Sequence, residues 1–192
     1  MKYIGNFKDW IQPGLLDRII DQPGDPTLLN QPRTWEGNPR QQAWYEEFKR
    51  AGYTDRNFYS NMYNERTKDI EDFNIVPPIE IPAGKKFNWW FIKFLPGSVA
   101  CMHWDPHTLI QKSCTRYWMA MMDYQPGHCI VLEGGRIMTD YRAGDMWQWK
   151  KADTYHGVVN LSMTPRVTFQ MSVYDEDDLH HKPTYYIDHT LS

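Results

Sequence analysis

The chain has 192 residues, of which 41% are hydrophobic and 15% aromatic, and its formal net charge at pH 7 is −3. This length and apolar content suit one globular domain with a substantial core. A mildly acidic chain without a basic run is not expected to bind duplex nucleic acid, and no apolar run is long enough to cross a bilayer. Cys101, Cys114 and Cys129 cannot form a complete set of pairs and predict reduced thiols. Together with an N-terminus that lacks a signal-peptide pattern, they favour a cytoplasmic location.

Residues 1–78 predict a helical lead. The strongest helix begins at Asn38-Pro39, a cap residue followed by proline in the first turn, and ends at Gly52. Shorter helices are predicted at 7–11, 15–21 and 58–70, between proline and glycine residues. Pro77-Pro78 is the expected junction with the rest of the chain, and both parts belong to a single domain spanning 1–192.

From residue 79 the pattern changes to short β-strands separated by Pro-Gly, Gly-Gly and Ala-Gly turns. Their regular spacing predicts a mostly β fold, a double-stranded β-helix (jelly roll, cupin-like) over 79–175, with the helical lead packed on one sheet. Residues 176–192 form a polar C-terminal tail that begins with acidic side chains. The strand candidates are Phe87–Leu95, Val99–His103, Thr115–Asp123, Cys129–Leu132, Asp145–Trp149, Val158–Leu161 and Arg166–Tyr174.

Three potential metal ligands stand out in this region. If residues 99–105 are extended, His103 and Asp105 point to the same face and Trp104 to the other. His156 lies 53 positions after His103, too far for a local turn, so only a fold that brings distant strands together completes the site. Two imidazoles and one carboxylate that leave open positions on the metal form the facial triad of non-haem Fe(II) oxygenases. The sequence therefore predicts a mononuclear iron site.

Arg166 begins a segment in which polar and apolar residues alternate up to Val173, as expected for a strand with one packed face. A guanidinium directed into a barrel is costly to desolvate unless it holds a carboxylate in a bidentate contact. Thr168, two residues on and on the same face, offers a further hydrogen bond. Arg166 and Thr168 therefore predict a binding site for the carboxylate at the far end of a dicarboxylate.

With these residues the chain resembles the 2-oxoglutarate and Fe(II)-dependent dioxygenase superfamily. The matching pattern is His103-Trp-Asp105, His156, and Arg166-Val-Thr168 ten positions after the second histidine. The resemblance covers roughly residues 79–175. Parts of this range are similar to the aspartyl/asparaginyl β-hydroxylase and prolyl-hydroxylase branches. Many members of the first branch lack the carboxylate that Asp105 supplies, and many of the second use lysine where Arg166 stands.

The resemblance implies an enzyme that binds Fe(II) through His103, Asp105 and His156, with Arg166 and Thr168 on the distal carboxylate of 2-oxoglutarate. It implies oxidative decarboxylation of that cosubstrate by O2 to succinate and CO2, coupled to hydroxylation of a C–H bond. A peptide or protein side chain is the first choice of substrate and a small metabolite the second.

The remaining candidates have more ordinary interpretations. His107 is expected in a loop beside the site and His128 in a solvent-facing turn. His180, His181 and His189 are expected on a solvated surface. Arg116, which shares strand parity with Trp118, is an alternative carboxylate partner, ranked below Arg166 because arginines are common on surfaces. The tryptophans at 90, 104, 118, 147 and 149 either wall the site or fill the core.

Two other functions remain open on the sequence alone. A cupin-like metal-binding or sensor module would keep His103, Asp105 and His156 but needs no carboxylate grip, so Arg166 argues against it. A purely structural or interaction barrel would bind no metal and would keep its full stability after His103→Ala.

Overall fold

The computed structural model describes residues 1–21, 39–53, 61–64, 75–103, 113–151 and 154–178. Two α-helices lie in these segments, α1 (Leu15–Asp21) and α2 (Pro39–Arg50). The strands of the same segments are β1 (Lys2–Asn6), β2 (Asn61–Asn64), β3 (Lys85–Phe94), β4 (Val99–His103), β5 (Thr115–Ala120), β6 (His128–Leu132), β7 (Ile137–Met138), β8 (Asp145–Gln148), β9 (His156–Asn160) and β10 (Arg166–Asp175).

The strands form two antiparallel sheets. One has six strands in the order β1-β8-β5-β10-β3-β2 and the other has four in the order β4-β9-β6-β7. Successive strands from β3 to β10 pair as β3 with β10, β4 with β9, β5 with β8, and β6 with β7. This nested pairing of eight strands across two sheets is the jelly roll, or double-stranded β-helix. The fold class predicted from the sequence is confirmed.

The six-stranded sheet has two differently packed faces, because side chains alternate along each strand. On β10, Val167, Phe169, Met171 and Val173 join a core that covers the outer face. Arg166, Thr168, Gln170 and Ser172 are also buried, and they lie on the inner face, toward the four-stranded sheet. A second core, which includes Trp118, Ile130, Leu132, Tyr141 and Trp149, fills the space between the sheets.

The N-terminal lead covers both sheets. Leu15 and Ile19 of α1 are buried against the outer face of the six-stranded sheet. At the end of α2 the N–H of Tyr53 donates to the Phe48 carbonyl at 3.0 Å, and Gly52 adopts a φ of +92°. This is a Schellman ending, which needs glycine at the left-handed position and brings two apolar side chains together.

Phe48 and Tyr53 meet at 5.0 Å between ring centroids and pack against Val99 and Cys101 of β4. The end of α2 therefore lies on the four-stranded sheet, so the lead contacts both sheets, whereas the sequence predicts packing on one sheet.

The predicted helix at 58–70 is wrong at Asn61–Asn64, which pair with β3 as strand β2. The backbone of β3 would otherwise present an unpaired edge, and pairing with that edge outweighs local propensity. Strands β1 and β7 were not predicted. The other strand predictions are confirmed to within a few residues at their ends. No helix in the described segments is long and apolar enough to cross a membrane.

Candidate functional site

His103 and His156 lie side by side on neighbouring strands. They are directly opposite each other in the pairing of β4 with β9, and their ring centroids are 4.5 Å apart. Both are buried, and the ring of Trp149 packs against His156 at 4.8 Å between centroids. The fold thus brings together two predicted ligands that are 53 positions apart in sequence.

The two imidazoles are held in the same way. The Nδ1–H of His103 donates to the Cys101 carbonyl at 2.6 Å, and that of His156 donates to the Thr154 carbonyl at 2.8 Å. Because a carbonyl oxygen can only accept, Nδ1 carries a proton in each ring, and in the neutral ring Nε2 then carries the lone pair. Metal-binding histidines are oriented in this manner, with the second nitrogen tied to a carbonyl or carboxylate.

A β-bulge turns His103 toward its partner. The register of β4 against β9 runs from Ala100 opposite Val158 to His103 opposite His156, so β4 carries one extra residue between the two pairs. Cys101 packs in the outer core, and strict alternation would send His103 to that same side. Bulges re-aim side chains in this way and are common beside active sites.

Gly157 provides room for this bulge. A Cβ at Gly157 would lie 3.0 Å from the Met102 Sδ and 3.2 Å from the Met102 backbone nitrogen. We expect Gly157→Ala to shift the bulge and to weaken metal binding by about tenfold, the scale seen when the support of a ligand is disturbed. The test is isothermal titration of Gly157→Ala with Co(II). Gly134→Ala is the control, because an added Cβ at Gly134 meets no other atom within 4 Å. Equal affinity in both variants would contradict a positioning role for Gly157.

Asp105, the predicted third ligand, lies outside the described residues, as do Trp104 and His107. Within the described segments no group of three or more His, Cys, Asp or Glu side chains converges on one point. Cys101 is close in sequence to His103, but burial raises the pKa of its thiol to about 11. A thiol that stays protonated at neutral pH is a poor ligand, because metals bind the thiolate.

Arg166 and Thr168 are both buried on the inner face of the six-stranded sheet. The Arg166 Nε–H donates to the Tyr141 hydroxyl at 3.2 Å, and the guanidinium carbon lies 5.7 Å from the Trp118 ring centre. Its Nη2 has no hydrogen-bond partner among the described residues. Both residues of the predicted carboxylate site therefore lie inside the barrel, and the Arg166 Nη2 is an unused hydrogen-bond donor among the described residues.

Arg116, the alternative carboxylate partner that was ranked below Arg166, is also inside the barrel. It is 2% exposed, and its Nη2–H donates to the Gln170 amide oxygen at 2.8 Å. Its guanidinium carbon lies 5.3 Å from the ring of Trp149, the same ring that packs against His156. Gln170 and Ser172 were not predicted as site residues, although their even spacing from Arg166 along one strand places them on the same face.

His128 was predicted to face solvent and is fully buried instead. The Pro126-Gly127 turn precedes it, but His128 is the first residue of β6 and pairs with Asn160 of β9. β6 is an inner strand of the four-stranded sheet. The His128 Nε2 lies 2.8 Å from the Ser162 hydroxyl. Burial, followed by the charge of Arg166, lowers the pKa of His128, while the hydrogen bond with the Thr164 carbonyl opposes this shift.

A histidine whose pKa is lowered on folding binds fewer protons in the folded state. Its contribution to the free energy of unfolding is complete above the unfolded pKa of about 6.5 and declines as the pH falls below it. We expect a slope of up to about 1.4 kcal/mol per pH unit from this one group. Urea unfolding between pH 7.5 and 5 should show a smaller slope in His128→Gln, and an unchanged slope would contradict the assignment.

No model of a known protein family matches the chain, and no curated protein matches it. Solved structures do match at low identity. An uncharacterized conserved protein with a double-stranded β-helix domain from Klebsiella pneumoniae is 17% identical over 47% of this chain and 69% of its own, with a TM-score of 0.35.

A Cupin 2 conserved barrel domain protein from Salinispora arenicola is 15% identical over 62% of this chain and 78% of its own, with a TM-score of 0.37. A cupin-superfamily sugar phosphate isomerase from Silicibacter pomeroyi is 15% identical over 48% of this chain and 57% of its own, with a TM-score of 0.33. The fold assignment made here rests on the strand order and pairing.

Proposed function

We propose that the protein is a non-haem Fe(II) oxygenase that couples the oxidative decarboxylation of 2-oxoglutarate to hydroxylation of a C–H bond. The observation that carries this proposal is the His103–His156 pair, with both Nδ1 atoms tied to backbone carbonyls beside the interior of a jelly roll. The substrate is a peptide or protein side chain or, alternatively, a small metabolite.

The donor set fits iron. Two imidazoles that present Nε2, joined by the carboxylate of Asp105, give the two-histidine, one-carboxylate set that leaves positions open for other ligands. The carbonyls of Cys101 and Thr154 hold the rings and fix their tautomers. When bound, Fe(II) supplies the chemistry that converts 2-oxoglutarate and O2 to succinate and CO2 while one oxygen atom enters a C–H bond.

The protein's contribution is to bind and orient. Arg166, with Nη2 buried and unpartnered among the described residues, is suited to hold the distal carboxylate of 2-oxoglutarate. Thr168 is buried on the same face and offers a hydroxyl to that carboxylate. Tyr141 accepts from the Nε–H of Arg166 and so fixes the direction of the guanidinium.

Tryptophans exclude water from this interior. Trp90, Trp118 and Trp149 are buried, and Trp147 packs against Trp118 at 5.1 Å between ring centroids. A dry interior strengthens the contact between a guanidinium and a carboxylate, and it protects a reactive centre from side reactions. These rings therefore serve the site as well as the core.

Succinate formation from labelled 2-oxoglutarate tests the proposal. The wild type, supplied with Fe(II) and O2, is expected to release succinate slowly without substrate and faster with it, whereas Asp105→Ala loses at least about 100-fold of either rate. Its far-ultraviolet circular dichroism should match the wild type. Iron binding without any succinate release would instead favour the cupin-like metal-binding module.

A further inference from the structure

A second polar region lies in the barrel interior, close to the histidine pair. In the register of the six-stranded sheet, Ser172 stands between Arg116 on one side and Asn88 on the other. Gln170, on the same face, accepts a hydrogen bond from Arg116, and Trp149 packs over the guanidinium. We call these five residues the Arg116 chamber.

Two aromatic rings lie near the guanidinium of Arg116. Its central carbon lies 6.0 Å from the Trp90 ring centre and 5.3 Å from the Trp149 ring centre. Aromatic rings at this distance stabilise a cation in a dry interior. A carboxylate is the anion with which a guanidinium forms its strongest, charge-assisted hydrogen bonds.

Two neutral hydrogen-bond donors of the chamber are buried without a partner among the described residues. Neither the Ser172 hydroxyl nor the Trp149 Nε1–H has a hydrogen-bond partner among the described residues, and these side chains are 1% and 3% exposed. The Asn88 amide oxygen also lacks a partner among the described residues, but it is an acceptor and a carboxylate would not pair with it. Buried polar groups are normally satisfied, so two orphan donors among the residues around a buried guanidinium indicate a ligand that accepts hydrogen bonds.

The chamber is distinct from the surroundings of Arg166. Arg116 contacts the rings of Trp90 and Trp149, whereas Arg166 contacts those of Phe94 and Trp118. Along β10, Gln170 and Ser172 are four and six residues from Arg166, roughly 13 and 20 Å at about 3.3 Å per residue. Of the two, the chamber is the one joined to the histidine pair through a single ring, Trp149.

We propose that the Arg116 chamber binds a carboxylate of the organic substrate, so that the compound oxidised is a small carboxylic acid. This inference rests on the proposed function, in which Arg166 holds the cosubstrate and the histidine pair holds the metal. A guanidinium this deeply buried admits a slim acid more readily than a folded protein surface. The carboxylate would be anchored one indole ring away from the metal-binding histidines.

Acetate is the minimal probe of this site, and the Trp149 indole N–H is its reporter. The full chain, loaded with Zn(II) as a diamagnetic stand-in for Fe(II) and saturated with 2-oxoglutarate, is titrated with acetate while indole signals are followed by ¹⁵N-resolved NMR. Loss of one signal in Trp149→Phe assigns the reporter. We expect a saturable shift in the wild type and at least about tenfold weaker binding in Arg116→Gln.

Ser172→Ala is a milder variant, and it keeps the proposal testable if Arg116→Gln does not fold. It should weaken acetate severalfold, whereas Ser98→Ala, which removes a buried hydroxyl at the β3–β4 turn, should not. A Trp149 signal that ignores acetate would overturn the proposal. So would an acetate response that 2-oxoglutarate abolishes, since the chamber would then hold the cosubstrate. Acetate binding without any 2-oxoglutarate binding would instead count against the proposed function and leave an anion site.

Discussion

Replacing His156 with alanine is expected to remove iron binding almost completely. Loss of a ligand should exceed the roughly 10- to 100-fold loss of affinity that follows when a residue supporting a ligand is removed. The His156 and His103 rings lie 4.5 Å apart between centroids. His103 alone cannot complete the predicted set of metal ligands. Iron content after anaerobic loading and desalting should fall from about one per chain to near zero.

His128→Gln provides the matched control, because His128 is equally buried but belongs to another strand end and bonds to Ser162. Its iron content should equal that of the wild type, even though its stability is lower. Normal iron content in His156→Ala, with the fold intact by circular dichroism, would remove this residue from the metal site.

Arg166→Ala is expected to raise the 2-oxoglutarate requirement steeply. Losing a two-point charged contact inside the barrel should cost about 2 to 4 kcal/mol, or roughly 30- to 900-fold in affinity. Arg166→Lys should recover part of this loss, because it keeps the charge but not the planar fork. The measurement is the apparent KM for 2-oxoglutarate in succinate release, with metal affinity determined in parallel.

Exposed Arg142 supplies the control for this experiment, since Arg142→Ala removes an arginine from the surface. If Arg166→Ala behaves like Arg142→Ala, the carboxylate grip must belong to another residue. A strong effect of Arg116→Gln on the same KM would then assign it to Arg116, and the chamber could not be a substrate site.

Local sequence patterns predicted those strands whose own residues and flanking turns indicate a strand. Val99–His103 and the start of Arg166–Asp175 were predicted at their observed positions, because alternation and flanking turns are local properties. Asn61–Asn64 was predicted as helix and is a strand, since its structure depends on the edge of β3. Ile137–Met138 is too short to leave a pattern.

The site shows the same division. Strand parity predicted that Arg166 and Thr168 share a face, and they do. Parity alone could not predict the bulge that aims His103 at His156, because a one-residue insertion in pairing is visible only when both strands are present. Burial of His128 was missed because the turn before it indicated a solvent-facing position, and Arg116 was ranked low because arginines are common on surfaces, whereas the sheets enclose both.

The most direct measurement is an anaerobic titration of the purified protein with Fe(II) and then 2-oxoglutarate, monitored by visible absorption. Chelation of the cosubstrate by iron should produce a weak metal-to-ligand charge-transfer band in the wild type and in His128→Gln, and none in His156→Ala. If the wild type binds iron and the band never appears, the protein does not use 2-oxoglutarate and the oxygenase proposal is contradicted.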